Sequence, residues 1–381
     1  MTWQTVPLGE LYVRRGTVSP RSGSSYSLYS VPSYETGAPE FLDGGGIGSA
    51  KQRVRPGDVL LCRIVPHIRR AWVVSDHEAE TIASTEWIVL AHPAVDSGYL
   101  RHFLLSDPFH AEFMSTLAGV GGSLSRARPT AAARIPVPLP PLPEQRRIAA
   151  ILDEADAVRN QLRRAKQVSA DAPRDLFTST FGRVDQLQRA DGTRDLSLLA
   201  SVIDCPHSTP AWESAGVTCI RTSNLGKGEW DWSDHRYVSE STHAERTRRS
   251  ELFEGDIVLS REGTVGLAAI VPFGLRMSMG QRLVQVRPDK SQIEPEYLLH
   301  YLLQATSPQV IGHLMVGSTS THLNVRDLRS LRVFVPPRGG QQRFAAQVRA
   351  IARVRDAGRT RANALDGLFA TLQHRAFRGE L

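Results

Sequence analysis

The sequence predicts an α+β chain in which two strand-rich domains are joined by two long antiparallel helices, related by an internal pseudo-two-fold repeat. Three observations lead there. Leu139–Ala150, LPPLPEQRRIAA, matches Val335–Ala346, VPPRGGQQRFAA, at a constant spacing of 196 residues. Gly57–Arg63, GDVLLCR, is mirrored by Gly255–Arg261, GDIVLSR, and Tyr99–Leu104 by Tyr297–Leu302, both at 198. A period of about half the 381 residues is far longer than a solenoid repeat and means two copies of a domain plus a helix. The expected boundaries are 1–133 for the first domain, 134–194 for the first helical region, 195–333 for the second domain and 334–381 for the second helical region.

In the first domain, Leu11-Tyr12-Val13 reads as a strand, and Tyr26–Val31 alternates with the period of two that a half-buried strand requires. Arg55-Pro56-Gly57-Asp58 is turn chemistry ahead of Val59–Val65, a continuous apolar run that predicts a central strand. Ala71–Val74 and Trp87–Leu90 predict further strands. The aromatic and leucine spacing between Ser97 and Leu117 predicts helix, interrupted at Asp107-Pro108. Residues 195–333 repeat this plan, but the stretches between the shared anchors differ in sequence. Two similar frameworks with different surfaces suit the reading of two different targets.

Prolines 136, 138, 140, 141 and 143 fix an extended approach to the first helix, which the sequence predicts from Arg146 on. Ile148, Ile151, Ala155, Val158, Leu162 and Ala165 recur in alternating steps of three and four, the seam of a coiled-coil-like pair. Pro173 is expected to break or restart the helix and Gly182 to end it. In the closing helix Phe344, Val348, Ile351, Leu365, Leu368 and Leu372 keep the spacing, while Arg355 and Gly358 interrupt it. Because one helix leaves the first domain and the other leaves the second, a packed pair runs antiparallel. About 26 residues at ~1.5 Å each separate the domains by roughly 40 Å, comparable to the roughly 34–36 Å between successive turns of one groove on a duplex.

Composition narrows the function. A net charge of +7 favours an anionic partner, nucleic acid first among them, although 42 of the 46 basic residues are arginine, a bias that a GC-rich genome also produces. No run approaches the roughly 18 apolar residues of a membrane span. The first residues lack a secretory leader, and the three scattered cysteines suit a reducing, cytoplasmic setting. Gly226-Lys227-Gly228 lacks the flanking residues of a phosphate-binding loop, and Gly44–Gly48 reads as a turn. Asp204-Cys205-Pro206-His207 has no second ligand pair at zinc spacing, so no metal site is expected. No Asn or Asp precedes Pro-Pro-Tyr or Pro-Pro-Phe, so the adenine pocket of an amino-methyltransferase is missing.

The Pro140–Ile148 helix opening, its repeat and the closing Leu368–Leu381 resemble the specificity subunits of type I restriction-modification systems. So do Asp204–Pro210, Ile220–Asn224, Gly255–Gly266 and the Gly317-Ser318-Thr319 loop. The resemblance covers essentially the whole chain. It departs at Gly340, where an acid is expected before Gln341, and in the first domain, which lacks a clear Ser-Arg-x-Gly-x-x-Gly loop. It implies two target-recognition domains, each reading half of a bipartite site in double-stranded DNA, and helices that set the unread spacer. Catalysis is implied on partners: two adenine methyltransferase subunits that bind S-adenosylmethionine, and restriction subunits that use ATP and Mg.

Arginine matches guanine and asparagine matches adenine bidentately, so Arg261 and Asn224 are the leading base-reading candidates. Arg221, Ser223, Glu262 and Thr264 flank them, and Ser318, Thr319 and Thr321 form a loop suited to close phosphate approach. In the first domain the candidates are Arg63, Arg69, Ser123 and Arg126. The expected helix-pair contacts are Ile148, Ile151, Val158, Leu162, Phe344, Val348, Ile351, Leu365 and Leu368. The alternatives are a coiled-coil scaffold with protein-binding domains, an orphan phage-defence recognition subunit, and a freestanding nuclease or methyltransferase.

Overall fold

A computed structural model describes residues 3–118, 125–307, 310 and 322–381. The chain divides into two compact units, Met1–Arg164 with Arg359–Leu381, and Ala165–Gly358. Helix and strand are mixed in both. Each of two 40-residue helices, Leu142–Phe181 and Arg338–Phe377, contributes one end to each unit.

The first unit is built on Val59–Cys62, central in an antiparallel sheet between Ala71–Val73 and Trp87–Leu90. Val59 and Leu61 face a core with Leu8, Leu90, Leu100 and Phe103, while Leu60 and Cys62 face a second with Tyr29 and Trp87. Burial on both faces is why this strand is continuously apolar. A five-stranded sheet lies beside it in the order Thr17–Val18, Lys51–Arg53, Glu80–Ala83, Ser25–Tyr29, Glu40–Asp43. The helical stretch divides at Ser106 into Ser97–Leu104 and Asp107–Ser115, with Asp96 capping the first. Leu11-Tyr12-Val13 departs from expectation. Leu8–Leu11 is a 3-10 turn that puts Leu8 and Leu11 on one buried face, and Tyr12 makes a single bridge to Leu90.

The second unit has a four-stranded sheet ordered Ala200–Asp204, Leu283–Pro288, Ile257–Ser260, Ala268–Ile270. A three-stranded sheet orders Tyr237–Val238, Val217–Ile220, Met277–Met279, the last two parallel. Its core gathers Phe177 and Phe344 from the long helices around Tyr297 and Tyr301 of the helix Pro295–Ala305. Phe177 packs edge-on to Phe344 at 5.5 Å and stacks on Tyr297 at 5.5 Å.

The long helices correct several expectations. The first begins at Leu142, and Pro143 sits in its opening turn, where its missing N–H costs nothing. Pro173 does not break it, because the buried proline lies one turn before Phe177, whose ring is anchored in the core. The closing helix is likewise unbroken through Arg355 and Gly358, and Arg355 forms an ion pair with Glu229.

The seam of the first unit keeps alternating steps of three and four, but at several positions it runs one residue later than expected. In the first unit Ile148, Leu152 and Ala155 pack with Phe369, Leu372 and Ala376. Arg159 lies over the Phe369 ring at 4.0 Å and pairs with Asp366 at 2.8 Å. Val158 and Leu368, expected in the seam, are 44% and 53% exposed; the residue after each takes the inward place. Ile151 is half-buried beside it, and Leu162 and Leu365 are half-buried where the same steps of three and four continue it. In the second unit Phe344 and Val348 are buried in the core and Ile351 is half-buried.

Candidate nucleic-acid interface

In the second unit the strand Ile257–Ser260 delivers the chain into the loop Arg261–Gly266. Ser260 Oγ donates to the Thr264 carbonyl at 2.6 Å and accepts the Leu267 N–H at 2.9 Å, so one hydroxyl closes the loop at both ends. Gly263 and Gly266 both take left-handed backbone. At Gly266 a Cβ would stand 2.6 Å from the Thr306 carbonyl oxygen, so only glycine fits.

Two further segments come alongside. Gly280 donates its N–H to the Ile220 carbonyl at 2.7 Å, which lays Gln281 and Arg282 beside the turn Thr222–Asn224. Arg261 accordingly shares its backbone N–H with the Arg282 carbonyl at 3.0 Å. Buried Arg246 holds the third segment, donating to the carbonyls of Met279, Ser208 and Pro206 at 2.7, 3.1 and 3.3 Å. Folding thus brings together Ile220–Asn224, Gly255–Gly266 and the Asp204–Pro210 turn, which sequence reading singled out separately.

The two leading base-reading candidates turn inward. Arg261 is buried, pairing with Asp204 at 3.0 Å and Glu262 at 3.3 Å. Asn224 is also buried: its Oδ1 accepts the Arg221 N–H at 2.9 Å, and its Nδ2 donates to the carbonyls of Asp231 and Asp234 at 3.0 and 3.1 Å. Both sets of polar atoms are used within the fold, so these residues shape the loops that others project from. Arg221 reaches Asp234 and lies 5.9 Å from the Trp212 ring. Glu262 is shared between Arg261 and Arg282, the latter at 3.6 Å. Ser223 and Thr264 are exposed.

Sequence reading passed over the groups this arrangement presents. Arg282 is exposed on left-handed backbone, Gln281 donates to the His207 carbonyl at 2.6 Å, and His207 stands 3.3 Å from Asp204 with its ring largely in solvent. Their signal was present as Gly280-Gln281-Arg282, a polar break between two buried strands, Met277–Met279 and Leu283–Pro288.

The first unit closes its corresponding loop differently. Val65, at the position 198 residues before Gly263, takes φ of 49° without being glycine, a costly conformation for a β-branched residue. It donates its N–H to the Ser125 carbonyl at 3.0 Å. Glu86 pairs with Arg63 at 3.2 Å and Arg126 at 3.1 Å. Partial burial works to raise its carboxyl, but the hydrogen bond from Arg126 and the nearby Arg63 outweigh that and hold it below the usual carboxylate range. Arg69 pairs with Asp107 at 2.6 Å. Ser123, Ser318, Thr319 and Thr321 lie outside the described residues.

Residues 226–355, which contain the Arg261–Gly266 loop and Gln281-Arg282, match the family model for the type I restriction modification DNA specificity domain. This stretch is a DNA specificity domain. The chain is 24% identical over 312 residues to the type I restriction enzyme EcoKI specificity subunit of Escherichia coli K12, covering 75% of this chain and 66% of that one. It is 20% identical over 235 residues to the MjaVIII specificity subunit of Methanocaldococcus jannaschii, covering 57% and 55%. To the putative MjaX specificity subunit of the same organism it is 22% identical over 328 residues, covering 79% and 73%. The chain thus spans under two thirds of the length of the first two relatives.

Among solved structures, the S subunit of a type I restriction-modification system from M. genitalium aligns over 99% of this chain and 96% of its own, with a TM-score of 0.58 at 12% identity. A chain from a type I system whose complex assembly and conformational transition were described aligns over 100% and 98%, with a TM-score of 0.57 at 19% identity. At these identities the likeness is one of fold. The specificity domain thus places the Arg261–Gly266 loop, with Arg282 beside it, in a stretch whose family role is DNA recognition.

Proposed function

We propose that this chain is the non-catalytic DNA-recognition subunit of a type I restriction-modification complex, and that each unit reads one half of a bipartite, asymmetric site. The observation that carries this reading is a set of scaffold contacts that recurs at the repeat spacing while the loops between them differ. Gln145 and Gln341 make the same clasp, and Asp58 and Asp256 the same arginine-bound turn. Shared scaffolds with unlike loops suit two unlike half-sites.

The target-recognition domains are residues 1–133 and 195–333, and the helical regions 134–194 and 334–381 pair antiparallel, set the unread spacer and dock two methyltransferase subunits. Restriction subunits join the larger assembly, and S-adenosylmethionine, ATP and Mg belong to those partners. In the second domain base edges are met by Arg282, Gln281 and His207, with Arg221, Ser223 and Thr264 at the flanks. Arg261, Glu262 and Asn224 hold the loops in shape. In the first domain Arg126 and Arg63, steadied by Glu86, approach the duplex, with Arg69 beside them. Affinity comes mainly from phosphate contacts and sequence discrimination from these side chains.

Selection of bound duplexes from a random pool, at two ionic strengths, tests the proposal. A bipartite motif with a steep salt dependence is expected. Retention without sequence preference, or nuclease or methyltransferase activity of the isolated chain, would overturn it.

A further inference from the structure

We infer that the first unit carries a phosphate-oxygen site not repeated at the equivalent turn of the second, a cleft of about 250 Å³ walled by Arg14, Arg15, Arg53 and Arg55. Two neighbouring segments supply these arginines. Arg53 donates its N–H to the Gly16 carbonyl at 3.0 Å, laying 14–16 along 53–55, and Val54 donates to the Thr81 carbonyl on the far side.

Charge is divided between fixed and free groups. Asp58 is buried and binds Arg15 through both oxygens at 2.6 Å, while its Oδ2 also accepts the Arg55 N–H at 2.9 Å. Arg53 pairs with Glu80 at 2.9 Å. Arg14 and Arg55 have exposed side chains with no hydrogen-bond or ion-pair partner among the described residues. Four guanidiniums against two carboxylates leave two positive charges, both on the unpaired arginines. Guanidinium forks around a small open cleft are matched to the oxygens of a phosphate, which they bind bidentately.

The second unit does not repeat this cluster. At the spacing of 198 residues, Arg53 and Arg55 give way to Glu251 and Phe253, and Arg287 from another strand holds Asp256 instead. Phe253 stands under the Arg287 guanidinium, 4.8 Å from its ring centroid. The turn around the aspartate is kept, so scaffold geometry does not require the arginines. Resting on the DNA-reading function above, the cleft is assigned to the sugar-phosphate backbone, a hold built on an arginine cluster that the described residues of the second unit do not repeat at the equivalent turn.

The test compares the full-length chain with R14A/R55A and R14K/R55K. Duplex affinity is measured across a series of salt concentrations, and half-sites are selected for each variant. In R14A/R55A the slope of log affinity against log salt should fall by about two, since each phosphate contributes ~0.9. The selected half-sites should not change, and R14K/R55K should recover most of the slope. An unchanged slope in a variant that still binds its selected duplex overturns the assignment to DNA. If the unsubstituted chain binds no duplex, the proposed function fails instead. Thermal melting with pyrophosphate then decides the cleft alone: a rise in midpoint that R14A/R55A abolishes keeps an anion site fed by free phosphate, and no rise removes it.

Discussion

The side-chain oxygen of Gln145 accepts the backbone N–H of Asp96 at 2.8 Å, tying the start of the first long helix to the cap of Ser97–Leu104. The amide nitrogen of Gln145 donates to the carbonyls of Pro140 and Ala94 at 2.8 and 3.0 Å, so the buried side chain is fully satisfied. Gln341 makes the equivalent contacts to Glu294 and Pro336, both at 2.9 Å. Replacing either glutamine by leucine strands several backbone groups. Q145L and Q341L should each lower the stability of the unit that contains them by about 2–3 kcal/mol, measured by urea unfolding. A loss under half a kcal/mol would mean the clasp is not a hinge-point of the fold.

Gly266 faces the Thr306 carbonyl with no room for a side chain, on backbone of φ 88°. G266A should destabilise the second unit by about 2–4 kcal/mol, from left-handed strain plus displacement of backbone. G263A meets open space and only the strain remains, on the order of 1 kcal/mol. Equal losses in thermal melts would show that contact with Thr306 is not the dominant cost.

The seam of the first unit makes a contrast between adjacent residues. F369A should cost about 3–4 kcal/mol, as expected for deleting a buried aromatic ring, whereas L368A, one residue earlier, should cost well under 1 kcal/mol. On the partner helix V158E should be nearly silent and R159A destabilising, since Arg159 both covers Phe369 and pairs with Asp366. A reversal of either order in chemical unfolding would restore the seam expected through Val158 and Leu368.

Burial in the second core pulls His300 down to about 4. The unfolded chain therefore binds a proton between roughly pH 6.5 and 4 that the folded unit refuses, so stability is lost as pH falls through that window. The loss reaches ~3 kcal/mol near pH 4. H300Q should flatten that part of the stability profile. If the slope of unfolding free energy against pH is the same in H300Q, another group carries it.

Some of this architecture was legible in the residues and some was not. The central strand Val59–Cys62 was visible because a strand buried on both faces must be apolar at every position. The helix interruption ahead of Asp107-Pro108 was visible because proline, lacking an N–H, fits the first turn of a helix and not its interior, so it marks a new start. Pro173 was misread by the same local rule, since the anchoring of Phe177 offsets the cost of a proline one turn earlier.

The chain by itself determined the periodic content: a duplicated proline-led helix, a duplicated Gly-Asp strand and an excess of arginine, all properties of neighbouring residues or of their count. Tertiary structure alone decided which arginines face water. Arg261 and Asn224 are well suited chemically to reading bases, but Asp204, Glu262 and the carbonyls of Asp231 and Asp234 claim them. Arg282, with no such signature, is left outside on a left-handed residue. Asp204 reaches Arg261 from 57 residues away, and a loop folds back over 7 to 10 residues to cover Asn224; the identities of the neighbouring residues encode neither contact.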